Sequence, residues 1–261
     1  MPGNSVRHRA IKLCPGPSAP ANGVTATTAA ITTRVHNGGF GIRRLMRQRE
    51  KGDQSMNETH LKVVAFNGSA RKGGNTAILL RYVLKELEKE GIETEMVEMS
   101  GAKIHGCLSC RECSKNKDRR CGQKGDVGNV YIEKMEQADG ILLGSPTYVA
   151  DVTTEMKALM DRACLVSKAN GGMFQRKVGA AVVAVRRAGA IHAFDALNHF
   201  FLISEMIVPG SSYWNIGVGL APGDVERDQE GIQTMKTLGQ NMAWLLKKVA
   251  SPRASELAAA D

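Results

Sequence analysis

The 261-residue sequence contains no apolar run that approaches the roughly 18 residues needed to cross a membrane. We therefore expect a soluble, cytoplasmic protein with no membrane partner. The composition, 43% hydrophobic and 23% charged, is that of an ordinary globular domain. The chain is long enough to bury a substantial core.

Acidic residues are absent before Glu50, so the net charge of +9 is concentrated near the N-terminus. Residues 1–55 contain nine basic and two acidic side chains, which leaves 26 basic and 24 acidic ones in residues 56–261. The second part is thus nearly neutral. This balance argues against a nucleic-acid partner, because such partners require Lys and Arg clustered on a folded face.

Large apolar residues are also scarce until residues 42–46, and residues 1–55 lack periodicity, which predicts a disordered basic extension. The segment has the Arg-rich, acid-poor composition of a transit peptide. The alternative, which we favour, is that translation of the native protein begins at Met56. Residues 56–261 are then expected to form a single domain.

From Leu61 onward, short apolar runs alternate with amphipathic segments. Strands are predicted at 61–66, 93–99, 140–144, 178–185 and 206–208, and helices at 76–90, 131–138, 152–166, 192–204 and 229–249. Strands that alternate with helices predict an α/β fold, in which helices cover both faces of a parallel sheet.

The loop after the first predicted strand reads Asn67-Gly-Ser-Ala-Arg-Lys-Gly-Gly-Asn-Thr76. Its glycines permit tight backbone turns, its hydroxyls and Arg71 are donors, and a helix N-terminus follows. The loop lacks both the P-loop and the G-x-G-x-x-G pattern. We interpret it as a cradle for a single terminal phosphate. The alternative is a polar turn that only caps the helix.

Two further loops follow predicted strands. Gly144-Ser-Pro-Thr-Tyr148 combines a rigid proline with a flat aromatic ring, and Arg186-Arg-Ala-Gly189 follows the fourth strand. The pattern Ser-x-Arg-x-x-x-Asn-Thr, together with Gly-Ser-Pro-x-Tyr, resembles the flavodoxin-like proteins of the NAD(P)H-dependent FMN reductase superfamily.

The resemblance implies a flavodoxin-like, doubly wound sheet of five parallel strands in the order 2-1-3-4-5. It also implies that FMN is bound in the three loops. The expected cofactor-binding residues are Ser69, Arg71, Gly74, Asn75, Thr76, Ser145, Pro146, Thr147, Tyr148, Val149, Arg186 and Gly189. The two arginines depart from the glycine-rich loop of relatives, and which of them meets the ligand is left open.

Four cysteines form a C-x2-C-x2-C-x7-C motif, namely Cys107, Cys110, Cys113 and Cys121. Thiolates are soft ligands, which suit an iron–sulfur cluster or zinc. Cysteines at x2 spacing are typical of ferredoxin-type loops, so we favour [4Fe–4S] over zinc or metal-free thiols. The basic insert at 115–120 contains no aromatic residue, which favours a solvated loop or a docking face for an acidic electron carrier.

The Cys motif and the flavin loops together resemble the iron-sulfur flavoprotein family over residues 56–249. That resemblance implies an FMN-dependent oxidoreductase that transfers electrons, with NAD(P)H or an electron-carrier protein as donor. It also implies a homo-oligomer, dimer or tetramer. Two alternatives stay open: an NAD(P)H-dependent FMN or quinone reductase with zinc-bound or free cysteines, and a redox- or metal-sensing binding module. No catalytic acid, base or nucleophile is predicted.

Overall fold

The computed structural model of the chain describes residues 60–249. The predicted extension at 1–55, the proposed start at Met56 and the C-terminal residues 250–261 lie outside the described residues. No helix among those described is long and apolar enough to cross a membrane.

A five-stranded, all-parallel sheet forms the centre of the fold, in the order β2-β1-β3-β4-β5. The strands are β1 Lys62–Asn67, β2 Glu93–Glu98, β3 Gly140–Pro146, β4 Val178–Val185 and β5 Ile216–Val218. This topology confirms the flavodoxin-like order expected from the sequence. The strand order reverses between β1 and β3, and ligands of such sheets bind beyond the carboxyl ends of the strands at that point.

Six helices are described. They are α1 Asn75–Lys89, α2 Glu112–Asn116, α3 Gly128–Gln137, α4 Thr154–Ala169, α5 Ala190–Ile203 and α6 Gln229–Val249. A 3-10 turn, Asp224–Arg227, lies between β5 and α6. The five-residue α2 was not expected from the sequence, because it lies in the polar cysteine-rich segment and buries no side chain.

Alternate residues of β1 enter two separate apolar layers. Val64 and Phe66 pack in the layer that contains α3, α4 and α5. Val63 and Ala65 pack in the layer that contains α1 and α6. Because both faces are covered, the central strands are apolar throughout, as the sequence pattern indicated.

The predicted strand at 206–208 is wrong. Ile207 forms only an isolated bridge to Val178 at the start of β4. Pro209 follows and has no N–H to extend the hydrogen-bond ladder. The fifth strand is instead Ile216–Val218, which pairs with the carboxyl end of β4. Its central Gly217 gave little apolar signal, and a Cβ there would lie 2.6 Å from the Leu79 side chain.

Candidate functional site

Loops from four strands surround a cavity of about 200 Å³ at the carboxyl edge of the sheet. The loop after β5, which the sequence analysis missed, completes the wall. Its Gly219 and Pro222-Gly223 were the available turn signals. The lining residues are Ser69, Arg71, Asn75, Thr76, Pro146, Thr147, Tyr148, Ala184, Val185, Arg186, Gly219, Leu220 and Pro222.

The β1 loop forms the end of the cavity next to α1. The Ser69 hydroxyl is buried and accepts the backbone N–H of Arg71 at 3.1 Å. Helix α1 begins after Gly74, and no side chain caps its first turn. The free donors of a helix N-terminus and the Arg71 guanidinium thus lie at one cavity, which favours an anion there.

Two hydroxyls of the cavity lack partners. Thr76 Oγ1 and Thr147 Oγ1 are buried without a hydrogen-bond partner among the described residues. Both threonines line the cavity, Thr76 from the start of α1 and Thr147 from the loop after β3. A buried polar atom without a partner is rare in a folded protein. The residues therefore fit a ligand that brings hydrogen-bond acceptors to both hydroxyls, as a phosphorylated heterocycle does.

Asn75 and Arg71 fasten the β5 loop to the cavity. The Asn75 amide donates to Ala221 O and accepts from Gly223 N, both at 2.9 Å. Arg71 Nη1 donates to Leu220 O at 3.3 Å. The side-chain amide of Asn75 is thus occupied by the protein, so it positions a wall of the cavity.

The β3 loop combines a buried anchor with an exposed turn. Ser145 Oγ accepts the Thr153 N–H at 3.1 Å and donates to Pro146 O at 2.8 Å. Tyr148 and Asp151 exchange two backbone hydrogen bonds, so Val149 and Ala150 form a two-residue turn. Both central residues have positive φ, 50° and 61°, and Val149 is fully exposed.

The two arginines of the β4 loop separate in the structure. Arg186 lines the cavity described above, whereas Arg187 and Gly189 line a neighbouring cavity. Gly189 has φ +85°, and a Cβ there would lie 2.9 Å from Ala150. Glycine at this position therefore allows the β3 and β4 loops to approach each other.

The four cysteines of the motif line a second cavity of about 160 Å³, between the loop after β2 and α4. All four thiols are free. Within the described residues, no three Cys, His, Asp or Glu side chains are already placed as metal ligands. The donor set fits a thiolate-bound cluster or zinc, and converged ligand geometry is not formed.

Backbone features of the Cys loop also suit sulfur ligation. The Ser109 N–H donates to Cys107 Sγ at 3.4 Å. Ser109 and Arg111, on either side of Cys110, have positive φ, so the backbone turns sharply around that cysteine. Asn129 holds the backbone of Cys121 with bonds of 2.7 and 3.0 Å. Cys121, the cysteine farthest along the motif, is thus anchored to α3.

A buried ion pair lies beside the thiols. Arg162 lines the cysteine cavity from α4, and its Nη1 contacts Asp126 Oδ2 at 2.5 Å. Burial opposes the charge of Asp126, but Arg162 and the N–H groups of His105 and Gly128 outweigh it. The pKa of Asp126 therefore lies below its ordinary value. The sequence offered no signal for this pair, because its members lie on different elements.

The basic insert beside Cys121 is partly neutralised within the domain. Arg119 forms an ion pair with Glu136, and Arg120 lies 3.7 Å from Glu133. Both acidic partners are on α3. The charge available here to an outside partner is therefore smaller than the sequence suggested.

The chain is similar in sequence to one protein family and to individual relatives within it. A family model described as NADPH-dependent FMN reductase matches residues 61–221. An iron-sulfur flavoprotein of Methanocaldococcus jannaschii is 37% identical over 196 residues, which cover 72% of this chain and 99% of that protein. An iron-sulfur flavoprotein of Methanosarcina thermophila is 30% identical over 195 residues, which cover 74% and 99%.

Solved structures share the fold. RosB with bound 8-demethyl-8-formylriboflavin-5′-phosphate aligns with a TM-score of 0.60 at 19% identity, over 77% of this chain and 84% of RosB. A WrbA-like flavodoxin of Agrobacterium tumefaciens aligns with a TM-score of 0.51 at 14% identity, over 73% and 99%. At these identities the likeness concerns the fold alone.

Proposed function

This chain belongs to the NADPH-dependent FMN reductase family and, within it, to the iron-sulfur flavoproteins, and on that basis we propose that it is an FMN-dependent oxidoreductase that transfers single electrons through a [4Fe–4S] cluster. FMN would occupy the cavity at the carboxyl edge, and the cluster would be held by Cys107, Cys110, Cys113 and Cys121. When bound, FMN accepts one or two electrons and the cluster accepts one.

The observation that carries the proposal is the presence of all four motif cysteines around one cavity. In sequence, Cys121 is well separated from the x2-spaced cysteines. In the fold, Cys121 lies at the same cavity as the other three cysteines. Asn129 anchors Cys121, and the backbone turns at Ser109 and Arg111 shape the segment around Cys110. Four cysteines that bound no metal or cluster would not need to meet at one cavity.

The polar residues next to α1 have proposed roles in binding the phosphate of FMN. Arg71, Ser69, Thr76 and the N-terminus of α1 after Gly74 would hold the phosphate, because they combine positive charge with N–H and O–H donors. Asn75 would act indirectly, by holding the β5 loop.

We propose that the flavin ring occupies the other end of the cavity, away from the phosphate-binding residues. Pro146, Thr147 and Tyr148 line it from the β3 loop, and Arg186 lines it from the β4 loop. The Thr147 hydroxyl is free to bond a heterocycle edge, and the positive charge of Arg186 would stabilise a reduced, anionic ring. Ser145, Val149 and Gly189 lie outside this lining and would shape the two loops.

Helix α4 connects the two cavities. Its N-terminal Thr153 hydroxyl donates to Gly68 O beside the β1 loop, and Arg162 of the same helix lines the cysteine cavity. These two points are about 14 Å apart along the helix axis at 1.5 Å per residue. We propose that electrons pass between the two cofactors, within one chain or across a subunit interface.

An anaerobic purification tests the proposal directly. The visible spectrum should contain flavin peaks with a broad cluster shoulder, and the released flavin should be FMN by chromatography. Iron and sulfide should approach four of each per chain after reconstitution. Fewer than about two irons per chain would contradict the cluster, and absence of flavin would contradict the first cavity's assignment.

A second candidate is a reductase of FMN or quinones whose cysteines bind zinc or remain free. It is favoured by the match of residues 61–221 to the family model described as NADPH-dependent FMN reductase. Bleaching of the flavin by NAD(P)H at catalytic rates in a protein without iron would support it. Zinc would be detected by metal analysis of the same sample.

The electron donor, the oligomeric state and the cytoplasmic location stay predictions. Light scattering coupled to size-exclusion chromatography would test the homo-oligomer. Large apolar side chains are exposed on and after α5, and substituting them should weaken such an assembly; they include Leu202, Ile203, Tyr213 and Trp214.

A further inference from the structure

Arg162 is a buried arginine that the flavin cavity does not use. Its side chain is 0% exposed, although arginine is rarely buried completely. It lines the cavity that also contains the four motif cysteines. A buried guanidinium is costly unless it is paired, so its position at this cavity needs a reason.

The guanidinium joins the two ends of the cysteine segment. Its Nη1 donates to His105 O at 3.2 Å, just before Cys107, and Nη2 donates to Gln123 O at 3.4 Å, just after Cys121. Asp126 accepts from both Arg162 and the His105 N–H. These bonds hold the first and last cysteines of the motif relative to α4.

Space for the guanidinium is provided by a glycine. A Cβ at Gly128 would lie 2.4 Å from the Arg162 guanidinium carbon, so any larger residue would displace it. Arg162 Nε has no hydrogen-bond partner among the described residues. The site thus contains a buried N–H donor that is not used by the protein.

Arg162 brings a fixed positive charge to the thiols. Arginine stays protonated in proteins, and the Arg162 guanidinium contacts the Asp126 carboxylate while it lines the cysteine cavity. The positive charge is therefore permanent, and the negative charge of Asp126 is its fixed neighbour. A cysteine-ligated cluster in this cavity would experience both charges in a poorly solvated environment.

We propose that Arg162 is a positioning residue that sets the reduction potential of the cluster, with Asp126 acting in the opposite direction. This inference rests on the proposed cluster. Reduction adds one electron, supplied by dithionite in the experiment below, and therefore one negative charge. Arg162 favours that added charge and Asp126 opposes it. Charge and hydrogen bonding near the sulfurs are established determinants of cluster potential.

Redox titration of the reconstituted full chain, followed by electron paramagnetic resonance, tests the proposal. Arg162→Met should shift the cluster's one-electron equilibrium toward the oxidised form by about tenfold, or about 59 mV. Asp126→Asn should shift it toward the reduced form. Arg162→Lys, which keeps the charge, should fall between Arg162→Met and the wild type.

A matched control is available on the same helix. Lys157 of α4 is half-exposed and pairs with Asp161. Lys157→Met removes the same charge from the surface and should leave the cluster's one-electron equilibrium constant within twofold of the wild-type value. Iron and sulfide content, measured on every sample, ensures that only proteins with a complete cluster are compared.

A structural role would shift the potential in the same direction in Arg162→Met and Asp126→Asn, because each variant breaks the pair and loosens the loop. Opposite shifts therefore indicate an electrostatic role. Equal potentials, or shifts in the same direction, would overturn the inference while leaving the proposed function intact. A wild-type chain without a cluster would overturn both. If Arg162→Met does not retain a cluster, the comparison of Arg162→Lys with Asp126→Asn decides.

Discussion

The hydroxyl of Thr153 donates a 2.9 Å hydrogen bond to the carbonyl oxygen of Gly68, across 85 positions of sequence. The same hydroxyl accepts the Met156 N–H and so caps α4. Through these bonds, the helix that reaches the cysteine cavity begins at the loop that lines the flavin cavity.

Thr153→Val should therefore weaken both the fold and the flavin site. Loss of the cap and of the Gly68 bond is expected to cost about 2 kcal/mol of unfolding free energy. Because the β1 loop loses an anchor, FMN affinity should fall as well. Urea unfolding and flavin fluorescence titration would measure the two effects.

Thr153→Ser is the matched control for that change, because it keeps the hydroxyl and removes only one methyl group. It should retain most of the stability. If Thr153→Val unfolds with the wild-type midpoint, the hydrogen bond to Gly68 contributes nothing to the fold.

Thr76→Val should separate ligand binding from stability. In the ligand-free protein the Thr76 hydroxyl has no partner, so its replacement should leave the unfolding free energy unchanged or raise it. With FMN, a hydrogen bond to a charged phosphate is lost, and the dissociation constant should rise roughly tenfold or more. Fluorescence titration measures that constant.

Thr147→Val is expected to behave in the same way but more weakly, because its hydroxyl would meet the neutral ring. The dissociation constant should rise by roughly tenfold at most. Riboflavin, which lacks the phosphate, distinguishes the two sites: its affinity should fall in Thr147→Val and not in Thr76→Val. The reverse pattern would mean that the phosphate and ring ends are exchanged.

The turn at Val149 and Ala150 stores conformational strain. Both have positive φ, which costs little for asparagine or glycine and more for a β-branched residue. Val149→Asn combined with Ala150→Gly should stabilise the protein by about 1 kcal/mol or more. Thermal unfolding of the flavin-free protein would detect a higher Tm.

Val149→Ala serves as the control for the turn, because alanine lacks the branched side chain of valine but also disfavours positive φ. It should raise the Tm less than the Asn-Gly turn does. An unchanged Tm in all three proteins would show that the turn is relaxed.

Acid should selectively weaken the Asp126 ion pair. The pKa of Asp126 is lower in the folded protein than its ordinary value of 3.8, so the pair stabilises the fold above that value. The stabilisation is lost as the pH falls through the lower, folded pKa. At pH 7, Asp126→Asn should cost about 3 kcal/mol, because Arg162 remains buried without its carboxylate.

Urea unfolding of the cofactor-free chain between pH 7 and pH 2.5 checks this expectation. The difference between wild type and Asp126→Asn should be largest at neutral pH and should shrink below about pH 4. A difference that stays constant across the range would mean that the charge of Asp126 does not stabilise the fold.

Much of the fold was readable from the sequence because the signals are local. The apolar runs of β1 and β4 and the amphipathic pattern of α1 and α6 follow from burial on one or both faces. The fifth strand was misplaced because Ile216-Gly217-Val218 is too short to produce a pattern. Its pairing with β4 depends on contacts that no local signal encodes.

The chain by itself determined the chemistry available: a hydroxyl- and arginine-containing loop after β1, a Ser-Pro-Thr-Tyr loop after β3 and four cysteines in one segment. Residue type and spacing suffice for such inferences, because residue type sets which groups can bind a ligand and the start of a helix can be recognised from the sequence.

Tertiary structure decided which groups meet. It placed Arg186 and not Arg187 at the first cavity, brought the β5 loop to Asn75, and buried Arg162 against Asp126 beside the thiols. These contacts join residues far apart in the chain, and burial gives them their strength. A sequence pattern contains neither the distances nor the desolvation that determine how strongly a charge interacts with its neighbour.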